Sequence, residues 1–73
     1  MHLGDLVTVV ESPYEDLWDW KIGRSSEFIG RFKAHETGII VEERSSGKYM
    51  FFSVLTSTGC VGWIREDLIK RVD

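Results

Sequence analysis

The sequence predicts an all-β fold of five short strands, and three observations carry this prediction. Residues 6–10 (LVTVV) are rich in β-branched side chains and have the length of a strand. Residues 37–56 contain two apolar stretches around "SSGK", a hairpin pattern in which Gly47 supplies the positive φ of a turn. A second turn, "TSTG" at 56–59, precedes another apolar run. The chain of 73 residues is the size of one small domain with a thin core.

Local signals place each element in turn. Gly4 and Asp5 precede the first strand, and Ser12-Pro13 ends it. The predicted hairpin consists of strands at 38–44 and 49–55. It is followed by a strand at 60–64, one helical turn at 65–68 (REDL), and a closing strand at 69–72.

Alternation along residues 49–55 divides the strand into two faces that both carry apolar groups. We expect Met50, Phe52 and Val54 to face the core, because the opposite face contains Ser53. Something must then cover the outer face, and residues 11–36 are the candidate. A structureless loop of that length is unusual in a compact domain, so we expect this segment to contain its own hairpin or a short helix capped by Ser25 or Ser26.

A resemblance to a known fold adds to this interpretation. The opening "GDLVTVV" and the segment 37–73, with "GWI" at 62–64 followed by an acidic-Leu turn, are similar to the Src-homology-3-like (SH3-like) small barrels of phage and bacterial proteins. The resemblance implies a five-stranded SH3-like barrel in which residues 11–36 form an enlarged first loop. The tandem tryptophans of eukaryotic proline-rich-peptide binders have no counterpart near "KYMFF", which argues against that ligand.

The stretch "YEDLWDW" at 14–20 combines three large aromatic residues with three carboxylates. One interpretation is that Leu17 and one tryptophan complete the thin core. The other is a protein-binding surface, since Trp and Tyr are enriched among binding hot spots and the acids favour a basic partner. If the stretch is extended, Trp18 and Trp20 share one face and both interpretations can hold together.

Residues 21–35 are basic, in contrast to the acidic stretch before them. They contain four cations and the single acid Glu27, with Phe28 and Phe32 among them. The pattern permits phosphate and base contacts. It equally permits pairing with the acids just before it, which is the interpretation we favour. The net charge of −3 and the pI of about 5.3 also argue against a nucleic-acid binder.

The sequence contains no motif that points to chemistry. His2, His35 and Cys60 lack metal-ligand spacing, and Cys60 lacks a readable base for nucleophilic catalysis, so we expect no enzyme, no metal and no cofactor. A single cysteine excludes an intrachain disulfide. No signal peptide or membrane span is expected, which makes the cytoplasm the predicted location, the host cytoplasm if a phage encodes the protein.

These inferences predict a small regulatory protein, expected as a monomer, that binds another protein. The resemblance to phage proteins suggests a host machine as partner, with bacterial RNA polymerase and transcription regulation as the first expectation. A nucleic-acid-binding barrel and a structural or self-assembling virion component are the alternatives. The residues predicted to contact the partner are Tyr14, Glu15, Asp16, Trp18, Asp19, Trp20, Arg24, Phe28 and Arg31.

Overall fold

The computed structural model describes residues 1–10, 13–19 and 27–72, and for residues 19 and 27–29 the backbone alone. These residues form strands β1 (Leu6–Val9), β2 (Tyr14–Asp19), β3 (Glu27–Lys33), β4 (Gly38–Ser46), β5 (Tyr49–Thr56), β6 (Val61–Arg65) and β7 (Ile69–Arg71), with one 3₁₀ turn, η1 (Glu66–Leu68), before β7. The strands make one antiparallel sheet in the order β3-β2-β6-β5-β4-β1-β7, which curls into a half-barrel.

The all-β fold is therefore confirmed, but the predicted strand count of five is wrong, because the described chain has seven strands. The two additional strands, β2 and β3, lie within the segment expected to be an enlarged first loop and pair with each other from Tyr14↔Lys33 to Asp19↔Glu27. Of the two alternatives for this segment, the hairpin is the one observed. The proposed helix is wrong at residues 27–29, which belong to β3, and the rest of it lies outside the described residues.

The turns agree with the sequence prediction. β4 and β5 are joined through Gly47, whose φ of 60° is the left-handed conformation that glycine adopts without strain. Gly59, with a φ of 92°, closes the turn between β5 and β6. The 3₁₀ turn at Glu66–Leu68 and the strand that follows it are also confirmed.

The core lies inside the curl of the sheet. Phe52 and Val54 point inward as predicted, and Met50 packs against the core at its margin. The hairpin adds two fully buried side chains, Leu17 from β2 and Phe32 from β3. The core thus contains residues from segment 11–36, which the five-stranded barrel had assigned to an enlarged first loop.

Two glycines allow the hairpin to approach the rest of the sheet. A Cβ on Gly62 would lie 2.7 Å from the Cβ of Leu17 and 3.3 Å from the backbone nitrogen of Trp18. A Cβ on Gly38 would collide with Val54 and lie 3.2 Å from Cζ of Phe32. The hairpin therefore packs directly on backbone at both positions.

A buried carboxylate joins three segments at the end of β3. Glu36 is 5% exposed, and its two carboxylate oxygens accept hydrogen bonds from the Thr58 hydroxyl (3.1 Å) and the Lys33 amide (3.4 Å). The Thr8 hydroxyl donates to the Glu36 carbonyl (3.1 Å), which brings β1 into the same network. Because buried polar groups are costly unless paired, this arrangement fixes the position of the turn after β3.

Replacing Gly62 by alanine tests the close packing of β2 on β6. We expect Gly62→Ala to lower the free energy of unfolding by about 1–3 kcal/mol, because Leu17 and the β2 backbone must move. Gly30→Ala is the matched control: its Cβ would meet only the Cys60 Sγ, at 3.3 Å, and the more restricted unfolded chain offsets that strain by about 0.4–1 kcal/mol. Urea unfolding measures both, and equal losses for the two variants would contradict the packing argument.

Replacing Glu36 tests the buried network. Glu36→Ala removes the hydrogen bonds that Glu36 accepts from the Thr58 hydroxyl and the Lys33 amide, so we expect a loss of about 1–3 kcal/mol in the free energy of unfolding. Glu36→Gln keeps the shape and one acceptor oxygen and should lose clearly less. If the urea midpoints of the two variants coincide, the hydrogen bonds of Glu36 do not stabilise the fold.

Candidate functional site

A groove of about 520 Å³ opens beside the antiparallel pairing of β2 with β6. The two strands share one paired position, Trp18↔Trp63. The sequence positions these strands through Leu17, which is anchored in the core opposite Gly62. The groove is lined by Glu15, Asp16, Trp18, Phe51, Trp63, Ile64, Arg65 and Leu68.

Three aromatic residues from three strands line the groove. Trp18 is 40% exposed on β2, while Phe51 on β5 and Trp63 on β6 are half-buried. The pairing Phe51↔Arg65 and the pairing Trp18↔Trp63 bring the three rings to the same part of the outer sheet face. Half-exposed aromatic side chains offer large contact areas with few rotatable bonds, which suits them to binding.

Charged groups stand on opposite walls of the groove. Glu15 and Asp16 contribute carboxylates from β2, and Arg65 contributes a guanidinium from β6. Asp67 is the main cause that raises the pKa of Arg65, and the negative charge of Glu15 adds the smallest contribution. An occupant therefore meets apolar rings flanked by ions of both signs.

Arg65 is held in place on two sides. Its Nε and Nη2 donate to the two Asp67 carboxylate oxygens at 2.8 and 3.0 Å, and its guanidinium lies over the Tyr49 ring at 4.8 Å. The hydrogen bonds from Arg65 lower the pKa of Asp67 from its ordinary value, and the hydrogen bond and charge of Asp67 raise the pKa of Arg65. This two-point contact presents a fixed cation at the rim of the groove.

The hairpin presents a second, adjoining surface. Arg31 of β3 lies 4.0 Å from the Asp16 carboxylate and 4.4 Å from the centre of the Tyr14 ring. The prediction that cations of the basic stretch pair with the preceding acids is thus confirmed for Arg31. Both partners of the ion pair are exposed, so its contribution to stability is about 0–1 kcal/mol.

The predicted contact residues that the structure describes separate into three groups. Glu15, Asp16 and Trp18 line the groove, whereas Tyr14 and Arg31 lie on the adjoining hairpin surface. Asp19 and Phe28 belong to the paired backbones of β2 and β3. Trp20 and Arg24 lie outside the described residues. For "YEDLWDW", the burial of Leu17 expected by the core interpretation is confirmed, whereas Trp18 is 40% exposed. The protein-binding interpretation stays a prediction.

The sequence did not predict the side of the groove that is formed by β5, β6 and η1. Alternation had already placed Phe51 on the outer face of its strand, and the same period places Trp63 and Arg65 opposite the inward Ile64. This signal identifies outward side chains, yet it does not show that β2 pairs with β6 beside them. Phe51, Trp63 and Arg65 were therefore absent from the predicted site.

Among the described residues, no three His, Cys, Asp or Glu side chains are grouped as ligands of a metal ion. The same residues contain no helix with the length and apolar character needed to cross a bilayer. No protein-family model, curated protein or solved structure matches the sequence or the fold.

A pH titration tests the contact between Arg65 and Asp67. Because the folded-state pKa of Asp67 is lowered, its stabilising contact is complete above the ordinary carboxyl pKa and is lost as the pH falls through the folded value. We expect carboxyl-detected NMR to show Asp67 titrating below an ordinary aspartate. Arg65→Gln should move this pKa upward.

Lys33→Gln is the control, because it removes one positive charge from the exposed surface of β3 and leaves the contact intact. We expect it to leave the titration of Asp67 close to that of the unmodified protein. An Asp67 pKa that responds equally to both variants would mean that net charge, and not the contact with Arg65, lowers it.

Proposed function

We propose that the protein is a non-enzymatic regulator that binds a segment of another protein in the aromatic groove. The observation that carries the proposal is the convergence of Trp18, Phe51 and Trp63 between the carboxylates of β2 and Arg65. Aromatic residues and arginine are the types most enriched among binding hot spots. We further propose that the curled sheet is an SH3-like barrel of the phage and bacterial type, with the residue pattern of 4–10 and 37–73 as its support.

The groove favours an extended segment that carries an apolar side chain and a basic side chain. The three rings suit the apolar group, and Glu15 and Asp16 suit the cation. The same carboxylates disfavour phosphate, which argues against nucleic acid as the ligand. The partner class is therefore a protein, and bacterial RNA polymerase is the first candidate on the resemblance to phage proteins.

Truncation of Trp18 tests the proposal. We expect Trp18→Ala to weaken partner binding by about 30-fold or more, the effect of removing a hot-spot residue worth about 2 kcal/mol. The matched control is Tyr14→Ala on the same strand: Tyr14 is 42% exposed, close to the 40% of Trp18, but does not line the groove. We expect binding by this variant to remain within a few-fold of the unmodified protein.

The measurement has two stages. Purified bacterial RNA polymerase is tested first by surface plasmon resonance against the unmodified protein and both variants. If it does not bind, proteins retained from a bacterial lysate are identified and the same variants are compared. Equal binding by Trp18→Ala and the unmodified protein, with the variant folded by circular dichroism, would contradict the groove. Equal loss for both variants would move the site to the hairpin surface.

A further inference from the structure

A row of exposed aliphatic side chains crosses five neighbouring strands at the end of the outer sheet face away from the groove. The register aligns Leu6 with Ile39, Ile39 with Leu55, and Leu55 with Val61. Val72 extends the row, because its amide donates to the Leu6 carbonyl at 2.8 Å immediately after β7. We call Val61, Leu55, Ile39, Leu6 and Val72 the aliphatic row.

The side chains of this row are not part of the core. Its members are between 38% and 46% exposed, while the inward neighbours Val7, Ile40 and Val54 are buried. A shallow depression of about 180 Å³ lies at Leu6, Ile39 and Leu55 and is otherwise lined by Thr37, Gly38, Thr56 and Ser57, so its lining contains no charged side chain. A connected apolar surface with an uncharged polar border at its centre has the composition of an interaction surface.

We propose that the aliphatic row is the contact surface for a second copy of this chain. Read across the strands from β6 to β7, its side chains follow the order Val, Leu, Ile, Leu, Val, which is symmetric about Ile39. A two-fold axis through Ile39 in the plane of contact places isoleucine on isoleucine, leucine on leucine and valine on valine. Such self-complementarity is what a two-fold symmetric interface requires.

Charge supports a second copy over an unlike partner. The chain carries a net charge of −3, so association of two copies through a charged face would bring like charges together. The depression at Leu6, Ile39 and Leu55 has no charged side chain in its lining, so contact at the centre of the row avoids that repulsion. The centre of the row also lacks the ions with which a surface selects an oppositely charged partner.

The size of the row sets the strength of the dimer. Four strand spacings of about 4.8 Å give a length of about 20 Å, and a row one residue wide covers much less than the ~800 Å² per partner of a stable interface. The curl of the sheet reduces the contact further. The dimer is therefore weak, and the protein is a monomer in dilute solution and associates as its concentration rises.

Sedimentation velocity and amide NMR spectra over a dilution series test this inference. The series runs from about 1 mM to about 10 μM, a concentration range in which weak association is detected. We expect the sedimentation coefficient to rise with concentration and the amide shifts of the row to change with it. Ile39→Lys places two like charges on the axis and should weaken self-association at least tenfold. Leu3→Lys, an equal charge change at a 58% exposed leucine outside the row, should leave it unchanged.

A mixing experiment separates the interface from an effect on folding. Ile39→Lys and Ile39→Glu should each be monomeric alone, and an equal mixture should associate, because the mixed dimer places opposite charges on the axis. A monomer at every concentration of the unmodified protein would overturn the inference and leave the row to a different protein. Association that neither variant weakens, or a mixture that stays monomeric, would overturn it as well.

Discussion

The close contact of the hairpin with glycine backbone is the constraint on which the rest of the structure depends. Leu17 reaches the core because Gly62 has no Cβ, and the Phe32 ring fits against Gly38 for the same reason. This approach puts β2 near enough to pair with β6, which makes Trp18 the neighbour of Trp63. The contact that closes the core therefore also sets the distance between the strands that border the groove. The same packing determines the stability of the fold and the shape of the groove.

The parts of the fold that the sequence predicted are those set by local chemistry. Glycines at 47 and 59 mark turns because few other residues adopt a positive φ, and the runs between them have the length and composition of strands. The hairpin of β2 and β3 lacks such signals. It contains consecutive acids, an interior glycine at 30 and an irregular register at Leu17/Trp18, so its pairing depends on tertiary contacts.

The candidate site likewise contains residues that the sequence predicted and residues that it did not. Glu15, Asp16 and Trp18 are adjacent in sequence, and their composition alone suggested binding. Phe51, Trp63 and Arg65 come from strands far along the chain and meet them only through the register of β5 with β6 and the pairing of β2 with β6. Non-local pairing of this kind has no local signature in a single sequence, so half of the groove could not be foreseen.

The groove and the aliphatic row share strands β5 and β6 but differ in chemistry. Phe51 and Leu55 lie on the same face of β5, four residues or about 14 Å apart, whereas Trp63 and Val61 on β6 are two residues or about 7 Å apart. An extended segment in the groove leaves room for a second copy on the row only if it stays clear of Val61, and a bulky domain at either surface would cover both. In the two proposals, the ions of the groove favour an unlike partner and the symmetric order of the row favours a like one. Binding of an extended segment that stays clear of Val61 in the groove is therefore compatible with self-association through the row, whereas binding of a bulky domain competes with it.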